Sequence, residues 1–307
     1  MNAPRRPDPG QPSHPGHPRS GFFYGLGAYF LWGVMPIYFK LIPSVSAFAI
    51  VSHRVVWSVP FLLALLLASR GWKKFAPILR DPRTLLILLL SSAMIGINWV
   101  LYTWSVVSGH ILAASFGYYL NPLANVLLGR FVLKERLSKL QWTAVAIAGA
   151  GVSVLALGAL NQLWISLTLC VTFALYGLLR KVVKADSLTG LAIETVVLAP
   201  FALAFLLLIG AGQAWAASDA ENGLLVLAGI ATTTPLLFFT AAARRLPYST
   251  LGMLQFLAPT LQFLIAVLLY GESFTPAHAI AFGAIWTALA FYVTSLLRKP
   301  RLPQPPE

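Results

Sequence analysis

Two opposite charges lie inside apolar stretches of this sequence: Arg54 in the run 45–69 and Glu194 in the run 188–210. An ionisable side chain within a membrane span costs roughly 2.5–3.5 kcal/mol by insertion scales, so each needs a polar cavity or a partner. The expectation is that each faces a polar cavity as a charge or coupling candidate, with Glu194 the first choice of proton carrier if transport is proton-driven. A direct pair between them and bonds to backbone carbonyls are the other arrangements. A pair would have to close about 12 Å of vertical offset, at roughly 1.5 Å of rise per residue. His53, beside Arg54, is a further titratable candidate for coupling, although a hydrogen-bonded packing histidine is the favoured reading.

Amides and aromatics gather in four other runs. Asn98, Trp99 and Tyr102 lie in 84–107, and Tyr118, Asn121, Pro122 and Asn125 lie in 111–133. Thr233 and Pro235 lie in 223–243, and Gln255, Pro259 and Gln262 lie in 249–271. An amide in hydrocarbon needs a partner, and a proline frees a carbonyl of its own helix. Pro122, Pro235 and Pro259 are therefore helix-break candidates, and the amides, Thr233 and the aromatics are candidates for lining a substrate cavity. Such walls suit a small amphipathic or zwitterionic molecule. The same polar groups could instead only join helices to one another. The sequence holds no Walker loop and no His, Cys or Asp spacing for a metal, so no cofactor, metal or enzyme chemistry is expected. The lone Cys170 cannot form an internal disulfide.

The elements that must hold these groups follow from composition. Hydrophobic residues make up 58% of the chain and charged residues 10%, against about 25% charge in a soluble domain. Ten apolar runs are long enough to cross a core of roughly 30 Å: 21–40, 45–69, 84–107, 111–133, 140–159, 162–179, 188–210, 223–243, 249–271 and 277–297. Helices are the expected element, because a backbone in lipid must bond within itself. The net charge of +13 does not imply a nucleic-acid partner, since the basic residues form short clusters between spans and no continuous face. With both termini cytoplasmic, all Lys and Arg except Lys40 and Arg54 fall on the inner side. Residues 1–20, with six prolines and three arginines, read as a disordered basic tail, and 298–307 as a second cytoplasmic tail.

The order of the runs also repeats. Glu135 follows Pro122 by 13 residues, and Glu272 follows Pro259 by 13. Repeats of this kind build secondary transporters, with the site where the halves meet. The fold expected is all-α and membrane-integral, with ten transmembrane helices as two inverted five-helix repeats, 21–159 and 160–297. Five spans per half turn the second copy upside down. Both glutamates are expected to mark helix ends at the water interface. Gly149-Ala150-Gly151 offers a small face for close helix contact, within the chain or in a homodimer.

Several segments carry a resemblance. They are Ala28-Tyr29-Phe30-Leu31-Trp32-Gly33, His53-Arg54-Val55-Val56-Trp57-Ser58, Gly96-Ile97-Asn98-Trp99, Gly117-Tyr118-Tyr119-Leu120-Asn121-Pro122, Lys134-Glu135-Arg136 and Thr250-Leu251-Gly252. Together they resemble the EamA-like exporters of the drug/metabolite transporter superfamily, and its RarD branch in particular, over residues 21–297. The resemblance implies a permease of the bacterial inner (plasma) membrane, with a cavity lined by the third, fourth, eighth and ninth spans. It implies export of a small metabolite or drug by alternating access, with proton coupling an open question. Uptake is the alternative direction, and a membrane-embedded enzyme or an assembly scaffold would be a different class. In one departure, Lys134 stands where the family usually has glycine before the glutamate, which is expected to loosen the turn at Glu135.

Overall fold

A computed structural model describes residues 18–108, 110–156, 163–271 and 276–297. The described chain is all-helical. The helices are α1 (Pro18–Lys40), α2 (Ala47–Ala68), α3 (Phe75–Arg80), α4 (Pro82–Val107), α5 (Ile111–Phe131), α6 (Lys139–Ala156) and α7 (Leu163–Val182). They continue as α8 (Ser187–Ile209), α9 (Ala211–Ala214), α10 (Asp219–Ala243), α11 (Tyr248–Gln255), α12 (Leu257–Tyr270) and α13 (Pro276–Leu297). A 3₁₀ turn, Gly71–Lys74, precedes α3. Among the described residues eight helices are long and apolar enough to cross a membrane: α1, α2, α4, α7, α8, α10, α11 with α12, and α13. Large apolar side chains face outward on them, among them Leu67, Phe201, Leu208 and Leu268, as lipid contact allows. The expected basic tail before Pro18, Glu272, and the basic residues after Leu297 lie outside the described residues.

Contacts at the two ends fix an up-and-down course. The Lys181 ammonium donates to the carbonyls of Ala243 (3.0 Å) and Leu246 (2.5 Å), and the Ser138 and Ser295 hydroxyls lie 2.8 Å apart. These contacts mark the terminal end, where α1 begins and α13 ends. At the far end Ser44 Oγ donates to the Glu221 carboxylate (2.6 Å), and the Lys40 ammonium sits 3.2 Å over the Tyr270 ring.

The packing pairs have a regularity. α1 packs on α10 and α12, and α7 packs on α4 and α5. α2 packs on α8 and α10, and α8 on α2 and α4. α5 meets α11, and α6 meets α13. Exchanging α1 with α7, α2 with α8, α4 with α10, α5 with α11–α12, and α6 with α13 carries this set onto itself. Backbone detail follows the same exchange: Lys134 and Gly271 both sit in the left-handed region, at φ 57° and 66°. The lysine therefore adopts the glycine conformation, and the turn before Glu135 is not loosened as expected. Gly151 is used within the chain, where it packs on Ala281 and Ala284 of α13.

The three prolines differ. Pro259 removes the N–H that would bond Gln255, and its ring crowds that carbonyl. The helix breaks there, and Phe256 N turns back to Met253 O at 3.4 Å. Pro122 and Pro235 instead lie inside continuous helices, contrary to their reading as breaks. One missing N–H does not open a helix that its neighbours brace. Gly252 of α11, for example, lies so close that an added Cβ would stand 2.8 Å from the Pro122 carbonyl oxygen.

α2 and α10 are in close contact at Gly229, where an added Cβ would overlap the Trp57 carbonyl and the Ser58 amide. Ser58 Oγ is shared there between the carbonyls of Arg54 (2.5 Å) and Gly229 (3.1 Å), and it accepts from Thr233 Oγ1 (2.8 Å). Backbone cannot yield as a side-chain tip does. Gly229→Ala is therefore expected to destabilise the protein by about 1–3 kcal/mol through overpacking. Thermal unfolding of the purified variant in detergent checks this, and an unchanged midpoint would contradict the contact.

Candidate functional site

A cavity of about 390 Å³ opens between the helices, at the lower end of the roughly 300–1,000 Å³ typical of small-molecule sites. α1 contributes Met35, Phe39 and Lys40 from its last turns, and α2 contributes Arg54. α4 supplies Asn98, Trp99 and Tyr102, α5 supplies Tyr118, and α7 supplies Phe173. Gln255, Pro259 and Gln262 come from α11 and α12. The lining reaches Lys40 at the far end. Toward the terminal end it meets an aromatic floor in which Trp32 lies 5.9 Å from Phe173 and 5.6 Å from Phe239, with Tyr176 stacked on Phe239 at 6.0 Å.

The polar wall is preorganised. Asn98 Nδ2 donates to the Leu169 carbonyl (2.9 Å) and Thr172 Oγ1 (3.0 Å) on α7, and its Oδ1 accepts from the Tyr118 hydroxyl (3.0 Å). One amide thus joins three helices. Asn125 Nδ2 donates to Gln255 Oε1 (2.8 Å), and Gln262 Nε2 to the Trp32 carbonyl (3.0 Å). Arg54 Nε donates to Thr232 Oγ1 (2.7 Å), with the guanidinium 5.3 Å from the Phe39 ring and 5.4 Å from the Trp99 ring. Among the described residues the lining holds no carboxylate, so they offer stacking, amides and positive charge.

Arg54, Asn98, Trp99, Tyr102, Tyr118, Gln255, Pro259 and Gln262 therefore meet in one place. Asn121, Asn125, Pro122, Thr233 and Pro235 do not line it. Asn125 supports Gln255 from behind, and Thr233 joins α10 to α2. Asn121 is fully buried, and its amide has no partner among the described residues. His53 is also outside: Nε2 lies 2.8 Å from the Ala214 carbonyl, Nδ1 accepts from Trp57 (3.3 Å), and the ring packs on Trp215. The neutral Nε2–H tautomer satisfies both nitrogens, which is a packing role.

Glu194 departs most from expectation. It faces neither the cavity nor Arg54. Its Oε1 lies 3.5 Å from Arg180 Nη1 and accepts from Ser91 Oγ. Both charged side chains are buried, Arg180 at 0% exposure and Glu194 at 1%. The sequence places Arg180 in a basic cluster at the water interface, but the hairpin of α7 and α8 folds it inward. Gly190 on α8 leaves room for the guanidinium, and that glycine, one turn before Glu194, is the signal in the sequence.

The terminal end is closed by further bonds of this kind. Arg244 Nη1 donates to the Val183 (3.3 Å) and Ala185 carbonyls. Asp186 caps α8 through the Leu188 and Thr189 amides and pairs with Lys74 at 3.2 Å. Burial alone raises the Asp186 carboxyl, but the Thr189 amide and hydroxyl and Lys74 outweigh it, so it lies below its ordinary value. Glu135 is not simply a helix end at water. Its carboxylate accepts from Tyr248 N (2.5 Å), Ser249 N (3.0 Å) and Ser249 Oγ (2.7 Å), and so caps α11 from another loop.

The sequence profile of the EamA-like transporter family matches this chain twice, over residues 19–157 and 161–294. The chain belongs to the EamA-like transporter family. An uncharacterized transporter of Pseudomonas aeruginosa is 46% identical to it, covering 94% of this chain and 98% of the relative. Protein RarD of Escherichia coli is 43% identical, covering 90% and 94%. Protein RarD of Salmonella typhimurium is 43% identical, covering 90% and 95%. This EamA-like chain is thus of the RarD type, a multi-pass membrane protein of a transporter family. A crystal structure at 21% identity matches with a TM-score of 0.72, covering 91% of this chain and 99% of that one; at that identity the likeness is one of fold.

Proposed function

We propose that this protein is a secondary-active transporter that exports a small amphipathic molecule by alternating access. Its two halves, 21–159 and 160–297, are inverted five-helix repeats, with α5 and α6 completing ten spans. The single observation that carries the proposal is the cavity itself. It lies between helices of both halves, extends to one end of the bundle, and is closed toward the other by cross-links between the halves. The exchange symmetry of the packing pairs and the paired left-handed residues Lys134 and Gly271 support the repeat. An odd number of spans per half inverts the second copy, so the contacts that close one end have counterparts that can close the other.

The clustering of basic residues supports a cytoplasmic terminal end, in what this reading takes to be a bacterial inner membrane. The state described is then outward-open, as an exporter is on release. A ligand moves such an equilibrium only by binding the two states differently.

Counterflow in proteoliposomes tests the reading, using a radiolabelled panel of amino acids, nucleosides and antibiotics. Saturable exchange is expected for at least one compound, falling at least tenfold in Trp99→Ala. Alternation has its own readout, because Cys170 is the single cysteine and is buried. In a Cys170→Ala background, Tyr102→Cys should react with an impermeant maleimide from one face, and transported substrate should slow it. Folded protein that exchanges nothing and labels unchanged would sink the proposal.

A further inference from the structure

We infer that the cavity takes an organic anion, an acid group on an apolar or aromatic body, with the acid held by Arg54. This rests on the transporter reading and narrows its substrate class. Among the described residues Arg54 makes one side-chain hydrogen bond: Nε donates to Thr232 Oγ1 at 2.7 Å. Its two terminal nitrogens have no protein partner among the described residues, and the residue lines the cavity. A guanidinium does not shed its proton in proteins, so this charge is permanent and must be answered by something. Among the described acids, Glu194 is engaged with Arg180, Glu135 with the α11 amides and Glu221 with Ser44, and none lines the cavity. A second cation, Lys40, lies at the mouth.

The geometry suits a carboxylate. With Nε tied back, the outer edge of the guanidinium presents two parallel donors, the fork that matches the two oxygens of an acid group. Phe39 and Trp99 flank that fork at 5.3 and 5.4 Å, so apolar surface adjoins the charge, and Tyr102 and Tyr118 extend it. Among the described lining residues a cationic ligand would find two like charges and no carboxylate. A zwitterion's ammonium would find ring faces and neutral amide and phenol oxygens, and no carboxylate among the described lining residues.

Binding to the purified full-length protein in detergent tests this, with one scaffold in four charge states: 3-phenylpropanoate, phenylalanine, 3-phenylpropanamide and phenethylamine. Tryptophan fluorescence titration should give saturable binding of 3-phenylpropanoate, at least tenfold tighter than the other three. Arg54→Gln should abolish that preference, while Arg54→Lys keeps part of it. The order among the four probes is read on the unaltered protein, so the test stands even if the variants fold poorly. The inference is overturned if 3-phenylpropanoate shows no saturable binding, or if any other probe binds as tightly. It is also overturned if Arg54→Gln leaves the order unchanged. Counterflow of a neutral or cationic compound alongside such a result would leave the transporter reading standing and remove only the anion.

Discussion

Glu194→Gln is expected to cost this protein about 3–5 kcal/mol of stability, the usual effect of breaking a buried ion pair from one side. The glutamine can still accept from Ser91, but it leaves the Arg180 guanidinium buried without a counter-charge. Arg180 keeps only its bonds from Nη2 to the Asp186 (3.4 Å) and Ser187 (3.2 Å) carbonyls, and Nε already lacks a hydrogen-bond partner among the described residues. The expected result is a large fall in the thermal midpoint and in monodisperse protein. Removing both charges, as Arg180→Met with Glu194→Leu, should recover most of the loss, because an apolar pair of similar volume carries no desolvation penalty. If the double variant is no better than the single one, the pair is not the reason. The same variant also tests proton carriage. Off the cavity, Glu194 braces α7 against α8, so pH-gradient-driven flux should survive in the double variant.

The second large effect is expected at Glu135. The first N–H groups of α11 have no partners within the helix, and Pro247, which precedes it, has no side-chain oxygen to cap them. The Glu135 carboxylate fills that gap and also places negative charge at a helix N-terminus, where it is favoured. Glu135→Ala removes three hydrogen bonds at once. Bonds to charged groups contribute about 1.5–3 kcal/mol each, and the partial exposure of this site puts the total near the low end of their sum. Because α11 runs into the cavity at Gln255, its release should loosen the closed end. In a Cys170→Ala background, a cysteine at Gln255 should become severalfold more reactive from the terminal face when Glu135 is replaced. Unchanged labelling would make Glu135 a cap and nothing more.

These two residues show where sequence reasoning ran short. Arg180 and Glu135 both look like water-facing charges, because each lies beside other charges at the end of an apolar run. A local pattern records that neighbourhood but not the helix that arrives from elsewhere to meet the side chain. Arg180 meets α8 across a four-residue link, and Glu135 meets an amide 113 residues away. Pro259 and Pro122 carry the same lesson. The two look alike in sequence, yet only the first breaks its helix, because bracing by neighbours decides which loss of an N–H is tolerated.

The sequence by itself determined the eight described helices long enough to span a membrane, and their ends to within a few residues. It also determined the amide and aromatic part of the cavity wall on α4, α5, α11 and α12, while the wall contributed by α1 was not foreseen. Hydrocarbon permits few polar groups, so a membrane sequence must declare nearly all of those it keeps. Asn98, Trp99, Tyr102, Tyr118, Gln255 and Gln262 were legible for that reason. Only the tertiary structure decided which charge serves which purpose. Arg54 and Glu194 are both single charges in apolar runs, with equal claims on the cavity or on each other. Packing gave Glu194 a guanidinium on the adjoining helix and, among the described residues, gave Arg54 no carboxylate. Burial of a charge depends on distances between helices, which no spacing along one chain records.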